Sequence, residues 1–182
     1  MISSKNKVIK SIKQRDEKIN QYQRDIRKKV VTYYSISKDV RNIDSGLVLI
    51  NMVVDIERVG DYTKNILDLA KYYPKKLVSE KISEDLRVIE KAVIERFSNT
   101  LRAVQEMDES IAKELIKSYR SDLGKLSDNL VASSISGNHV VGEEHKASSM
   151  VLYARYLKRI GAHLKNITSV VVNPFESIGY KK

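Results

Sequence analysis

The chain contains two similar segments. The first reads Asp55-Ile-Glu-Arg-Val-Gly-Asp-Tyr-Thr-Lys-Asn65, and the second, 101 residues later, reads Tyr156-Leu-Lys-Arg-Ile-Gly-Ala-His-Leu-Lys-Asn166. Among the residues that both copies share are Arg58, Gly60 and Asn65 in the first and Arg159, Gly161 and Asn166 in the second. Glycine inside a helix costs about 1 kcal/mol relative to alanine. Two glycines at matching helical positions therefore predict a close approach of helices, and the repeat predicts two copies of one structural unit.

Apolar residues on both sides of these segments recur at three- and four-residue intervals, which is typical of helices. The 7 glycines and 2 prolines of the 182 residues are too few for the many turns of a sandwich or barrel. We therefore predict an all-α, elongated, antiparallel bundle of five helices. The first predicted helix covers residues 4–34, and the second begins at Ser37 or Asp39 and ends at Pro74. The third runs from Ser83 to Met107. The fourth is capped by Asp108 or Ser110 and ends at Gly137, and the fifth covers residues 143–172.

The repeat also divides the chain into two unequal units. The first unit covers residues 1–74 and holds two helices, residues 75–82 connect, and the second unit covers 83–182 and holds three. Subtracting the offset of 101 places the first helix of the first unit before residue 6. A two-helix hairpin without its third helix leaves an apolar groove. The other unit, a second subunit or a partner could cover this groove, or it could stay exposed; we expect a homodimer in which a second copy covers it.

Charge and cysteine content limit the classes of function. The net charge of the chain is +10, and it is concentrated in residues 1–41, which contain 12 basic and 4 acidic side chains. Such a basic arm can meet nucleic acid, anionic lipid or an acidic partner, although a solvated helix face is the simpler explanation. The absence of cysteine excludes disulfides, thiolate zinc sites and a cysteine nucleophile. No apolar run approaches the roughly 20 residues of a transmembrane helix, and no signal peptide is visible, so we expect a cytosolic protein.

The segment from Val54 to Ile66 closely resembles the signature of the PhoU family, the phosphate-uptake regulators. The stretch Ala154-Arg-Tyr-Leu-Lys-Arg-Ile-Gly161 resembles a second, degenerate copy of it, and Met107-Asp-Glu-Ser-Ile-Ala112 resembles the turn between two helices of that family. The resemblance implies two similar three-helix bundles and a cytoplasmic regulator near the inner face of the membrane. It also implies a homodimer that damps phosphate import through a phosphate ABC transporter, contacts a phosphate-sensing histidine kinase and has no enzymatic activity.

The resemblance further implies a metal site in the first unit. Glu57 and Asp61 lie four residues apart, on one face of a helix. Asp16 and Asn20 match the family's other acidic pair, with an uncharged amide in the second place. These four residues, which we call the acidic site, are the predicted ligands of iron, manganese, zinc or nickel. The alternative is that the two acids form ordinary ion pairs with Arg58 or Lys64.

The second unit is expected to bind no metal, because Lys158 and Ala162 replace the two acids. Lys158, Arg159 and His163 instead form a basic strip that could hold an anion, an acidic partner or only water. Two other functions stay open beside the regulator: nucleic-acid binding through the basic N-terminal helix, and a carboxylate-bridged metalloenzyme. No recognition-helix motif, Gly-rich phosphate loop or nucleophile motif supports either.

Overall fold

The computed structural model describes residues 2–37, 41–74, 77, 82–136 and 144–180, and these ranges hold helices and no strand. The prediction of an all-α bundle is therefore confirmed. The division into two units stays a prediction. The helices are α1 (Ile2–Ser37), α2 (Ile43–Tyr72), α3 (Ile82–Glu106), α4 (Glu109–Tyr119), a π-helical turn (Arg120–Gly124), α5 (Lys125–Ile135), α6 (Glu144–Ser169) and a 3₁₀ turn (Phe175–Ser177).

Two predicted helix ends are confirmed and one is wrong. Helix α2 ends just before Pro74, and Asp108 caps α4 by accepting a hydrogen bond from the backbone N–H of Ile111 at 3.0 Å. Ser37 does not begin a helix, because it is the last residue of α1; the residue before α2 is Asn42. The predicted alternatives at Asp39 and Gly137 lie outside the described residues.

The fourth predicted helix is not continuous. The π-helical turn at Arg120–Gly124 separates α4 from α5. A π turn contains one residue more than an α turn, so side chains after it are rotated relative to those before it. Leu123 and Gly124 of this turn are buried, whereas the three residues before them are exposed, so the end of the turn faces the interior of the bundle.

Helices α2 and α6 run antiparallel and are related by an approximate two-fold axis. Asp55 contacts His163, and Tyr62 packs against Tyr156 with 6.1 Å between ring centroids. Adding the repeat offset of 101 to one member of each pair gives a member of the other. The rings of Tyr62 and His163 stack at 5.7 Å between these two contacts. The repeat in the sequence is therefore also a repeat in space.

The apolar core lies mainly among α3, the π turn, α5 and α6. Ile89 and Leu123 are fully buried there, and Leu164 is 2 % exposed. Helix α2 adds only partly buried residues to this core, and α1 packs on α2. Helix α6 ends at Ser169, three residues earlier than predicted, and the following segment folds back through hydrogen bonds from Asn173 to the carbonyls of Ser177 and Tyr180.

Candidate functional site

The acidic site lies where α1 and α2 cross. The two helices run antiparallel, because Gly46 of α2 faces Tyr34 near the end of α1, and Gly60 faces Asp16 near its middle. This arrangement brings Asp16 close to the turn of α2 that carries Asp61. The structure therefore gathers residues that are 45 positions apart in the sequence.

Lys64 forms the centre of this arrangement. Its ammonium donates to Asp16 Oδ2 at 2.8 Å and to Asp61 Oδ1 at 2.9 Å. Asn20 donates from Nδ2 to the same Asp16 Oδ2 at 3.3 Å. Arg58 lies 3.3 Å from Asp61 and 3.8 Å from Glu57, so two cations already serve the acids of this site.

The two carboxyl groups of α2 are tuned in opposite directions. Burial, followed by the nearby charge of Asp61, raises the pKa of Glu57 above its usual range. Burial also opposes ionisation of Asp61, but the hydrogen bond and charge of Lys64 outweigh it and lower the pKa of that carboxyl. The same contacts, first with Asp16 and then with Asp61, raise the pKa of Lys64. At neutral pH the ion pair between Asp61 and Lys64 is therefore fully charged.

One oxygen of the site has no partner. Asp16 is 8 % exposed, and its Oδ1 is buried without a hydrogen bond. A buried carboxylate oxygen without a donor is costly, because desolvation is not compensated. This oxygen lies next to Gly60, where an added Cβ would stand 3.3 Å from it.

The donors of the acidic site suit an oxygen-preferring metal in their chemistry, but Lys64 lies between two of them. Within the described residues, no three His, Asp or Glu side chains are grouped so that they could hold an ion. The ammonium of Lys64 occupies the space between the carboxylates of Asp16 and Asp61. A metal ion could use both carboxylates only by displacing it. The predicted ligand set stays a prediction, with Lys64 as its competitor.

The residues shared by the two repeats differ in environment. Gly161 is buried against Leu123, whose Cδ2 is 1.9 Å from the position of an added Cβ, so the predicted close helix approach is present there. Asn166 donates to Asp55 Oδ1 at 3.1 Å. The three other polar residues of the motif are exposed: Arg58, Asn65 and Arg159.

The structure does not bring the basic strip together as one surface. Lys158 lies against Asp128 of α5, with Nζ 2.6 Å from each carboxylate oxygen. His163 lies against Asp55 of α2, with 2.7 Å between Nδ1 and Oδ1. Arg159 is exposed. Two of the three groups thus have carboxylate partners on different helices, which leaves Arg159 as the strip's exposed cation.

Sequence reasoning named Lys64 only as an alternative ion-pair partner and missed its contact with Asp16. The three-residue spacing from Asp61 was a visible signal for the first contact. The contact of Lys64 with Asp16 depends on how α1 is rotated relative to α2, and residue spacing within one helix does not determine that rotation. The contact between Asp55 and His163 was missed as well. The repeat was a signal for it, because the two residues lie in the two copies of the repeated segment.

The comparisons with known proteins find a similarity in the N-terminal part of the chain. The family model of the PhoU domain matches residues 1–70, which include α1 and nearly all of α2. No curated protein and no solved structure matches the chain. Beyond residue 70, the likeness to the same family rests on the internal repeat and on the resemblance of Met107–Ala112 to the family's interhelical turn. None of the helices in the described ranges has the length and apolar character that crossing a membrane requires.

Proposed function

We propose that this chain, whose first 70 residues match the family model of the PhoU domain, regulates phosphate uptake through protein–protein contact. The match to this domain is the observation that carries the proposal, because the family is regulatory and linked to phosphate transport. The proposed partners are a phosphate ABC transporter and its sensor kinase. The proposed place of action is the cytoplasmic face of the membrane, and the chain performs no reaction of its own.

Deletion of the gene in its host tests this function. We expect faster uptake of labelled phosphate by cells grown in abundant phosphate, because the damping contact is lost. Re-expression of the chain should restore the slow uptake, and uptake of labelled sulfate should be the same in all strains. Unchanged phosphate uptake in the deletion strain would contradict the proposal.

We also propose that a metal ion tunes this regulator by competing with Lys64 for the acidic site. The support is that Asp16 and Asp61 already hold one cation, the ammonium of Lys64, between two helices. Carboxylate oxygens and the Asn20 carbonyl suit iron, manganese, zinc or nickel to differing degrees. Removing the competing ammonium should therefore increase metal binding.

Elemental analysis of protein purified without chelator tests the metal proposal. We expect metal in the wild type, none in a Glu57→Ala/Asp61→Ala variant, and more in Lys64→Met than in the wild type. Lys71→Met, on the same helix, is the matched control and should equal the wild type. A metal-free wild type and a metal-free Lys64→Met variant, both after loading with each metal, would show that the chain is a metal-independent adaptor.

The homodimer stays a prediction, which light scattering at micromolar concentration tests directly. The two alternatives, nucleic-acid binding and carboxylate-bridged catalysis, gain no support from a contact in the described residues. The regulator is therefore the function that we carry forward.

A further inference from the structure

Helix α1 has a basic side that points away from the rest of the bundle. Within the described residues it packs on α2 alone, and Asp16 and Ile19 lie on the side that faces α2. Residues of an α-helix follow each other at about 100° around its axis, which places six exposed cations within about 80° of the opposite direction. These six residues, which we call the basic face, are Lys7, Lys10, Lys18, Arg24, Lys28 and Lys29.

Two acids lie on the same side of α1 and leave most of this charge uncompensated. Glu17 is exposed, and Asp25 is partly buried and accepts a hydrogen bond from Gln21 Nε2 at 2.8 Å. Six cations and two acids leave this side of the helix with a net charge of +4. The charge extends from Lys7 to Lys29, which corresponds to about 33 Å of straight helix.

Helix α3 shows how the same chain arranges the cations of another surface helix. Each exposed cation of α3 lies within 4.0 Å of a carboxylate one turn away on the same helix. The pairs are Arg87 with Glu84, Lys91 with Glu95 and Arg102 with Glu106. Such pairs stabilise a helix whose surface is solvated.

The basic face lacks pairs of this kind. None of its six cations forms an ion pair with a described residue. Lys7 and Lys10 are three residues apart and Arg24 and Lys28 four, and like charges at these spacings destabilise a helix. A layer of anions outside the helix would relieve this repulsion, because it would supply the charges that the sequence omits.

Two large apolar side chains lie among these cations. Tyr22 is 64 % exposed and Ile36 is 76 % exposed. Lys18, Tyr22, Lys29 and Ile36 follow each other at intervals of four, seven and seven residues, so the four side chains lie along one line of the helix surface. The anionic layer should therefore also offer an apolar environment.

We infer that the basic face of α1 binds the surface of a bilayer that contains anionic lipids, with Ile36 inserted between the headgroups. A bilayer is flat, so a straight helix can present all six cations to it, and each cation near an anionic surface adds to the affinity. A tyrosine ring is stable at the level of the headgroups, and an isoleucine side chain can reach the boundary of the acyl chains.

Other occupants account for only part of these observations. A nucleic acid would match the charge but has no apolar layer for Ile36. A second copy of the chain has the same net charge of +10 and would be repelled. The inference goes beyond the proposed function, because it requires neither a phosphate transporter nor a sensor kinase.

Co-sedimentation with lipid vesicles at low salt tests the charge of the face. We expect the wild-type chain to bind vesicles of phosphatidylglycerol mixed with phosphatidylcholine, and not vesicles of pure phosphatidylcholine. Lys18→Gln/Lys29→Gln should weaken binding at least about tenfold, because each lysine near an anionic surface contributes about fivefold. Lys91→Gln/Lys113→Gln removes the same charge from exposed positions of α3 and α4. This matched control should leave binding nearly unchanged.

A pair of isoleucine variants tests the apolar contact in the same assay. Ile36→Ser should weaken binding about 3- to 10-fold, because the inserted side chain loses apolar burial. Ile94→Ser is the matched control, since Ile94 of α3 is 67 % exposed and lies outside the basic face. It should bind like the wild type.

Three results would overturn the inference: no binding of the wild-type chain to the phosphatidylglycerol vesicles, equal losses from the two lysine pairs, or equal binding of the two isoleucine variants. Tighter binding to duplex DNA than to vesicles, weakened in Lys18→Gln/Lys29→Gln and unchanged in Ile36→Ser, would also overturn it and assign the face to nucleic acid. All four variants change exposed residues, so circular dichroism should show a wild-type fold for each. Unchanged phosphate uptake in the deletion strain leaves the vesicle result unaffected, and a failed vesicle assay leaves the uptake experiment unaffected.

Discussion

Replacement of Leu123 by alanine is expected to lower the free energy of unfolding by about 3–5 kcal/mol. Leu123 is fully buried in the π turn, and its Cδ2 packs onto the backbone of α6 at Gly161. Truncation would remove apolar contacts and leave a cavity that the surrounding helices cannot fill without moving. Guanidinium unfolding followed by far-ultraviolet circular dichroism measures the effect.

Substitution of Gly161, which faces Leu123, tests whether the close contact between these two residues determines the stability. Gly161→Ala alone should destabilise by about 1–3 kcal/mol through overpacking, less the gain in helix propensity. In the Leu123→Ala background the same change should stabilise, because the new methyl group enters the cavity. Gly60→Ala is the matched control, since an added Cβ there would be 3.3 Å from Asp16 Oδ1 and 3.7 Å from Ile19 Cδ1, both farther than Leu123 Cδ2 at Gly161. A harmless Gly161→Ala in the wild-type background would contradict this account.

The repeat and the helical spacing predicted the fold class because both can be recognised from residue identities and spacings alone. Pro74 and Asp108 act on the residues next to them, so their effects on helix ends could be read directly. The π turn could not be read in this way. It becomes visible only when the neighbours of Gly60 and Gly161 are compared, because the extra residue changes a tertiary register and leaves the local composition ordinary.

The candidate site was predicted less completely, because it depends on how helices are rotated against each other. Lys64 lies one turn from Asp61 in any helix, but its contact with Asp16 needs the observed crossing of α1 and α2. The basic strip shows the same limit. Lys158 and His163 are five residues apart, which places them about 140° apart around the helix. They therefore face different neighbours, Asp128 and Asp55.

Replacement of Arg96 by methionine is expected to destabilise the chain by about 2–4 kcal/mol. Methionine keeps much of the side-chain volume, so the loss reports the polar contacts rather than a cavity. The guanidinium donates to the Leu115 carbonyl and to Ser118 Oγ, and lies 3.9 Å from Asp122. Burial lowers the pKa of Arg96 from its ordinary value, because the interior of the bundle solvates the guanidinium less well than water does.

The size of this loss follows from what each partner can do without Arg96. Asp122 is half exposed, so water can solvate its carboxylate once the cation is gone. The Leu115 carbonyl lies in the interior and loses a donor that water cannot replace as well. We therefore expect a smaller cost than the breaking of a fully buried ion pair, but a larger one than any surface contact.

Two further variants of α3 separate this explanation from a general effect of charge. Arg102→Met removes a cation of the same helix whose ion pair with Glu106 is exposed on both sides, and should change stability by less than about 0.5 kcal/mol. Arg96→Lys keeps the charge but loses the fork of donors, and should recover less than half of the loss caused by Arg96→Met. Chemical unfolding of the three variants at one pH gives the comparison. An equal effect of Arg96→Met and Arg102→Met would mean that the buried guanidinium does not anchor α3.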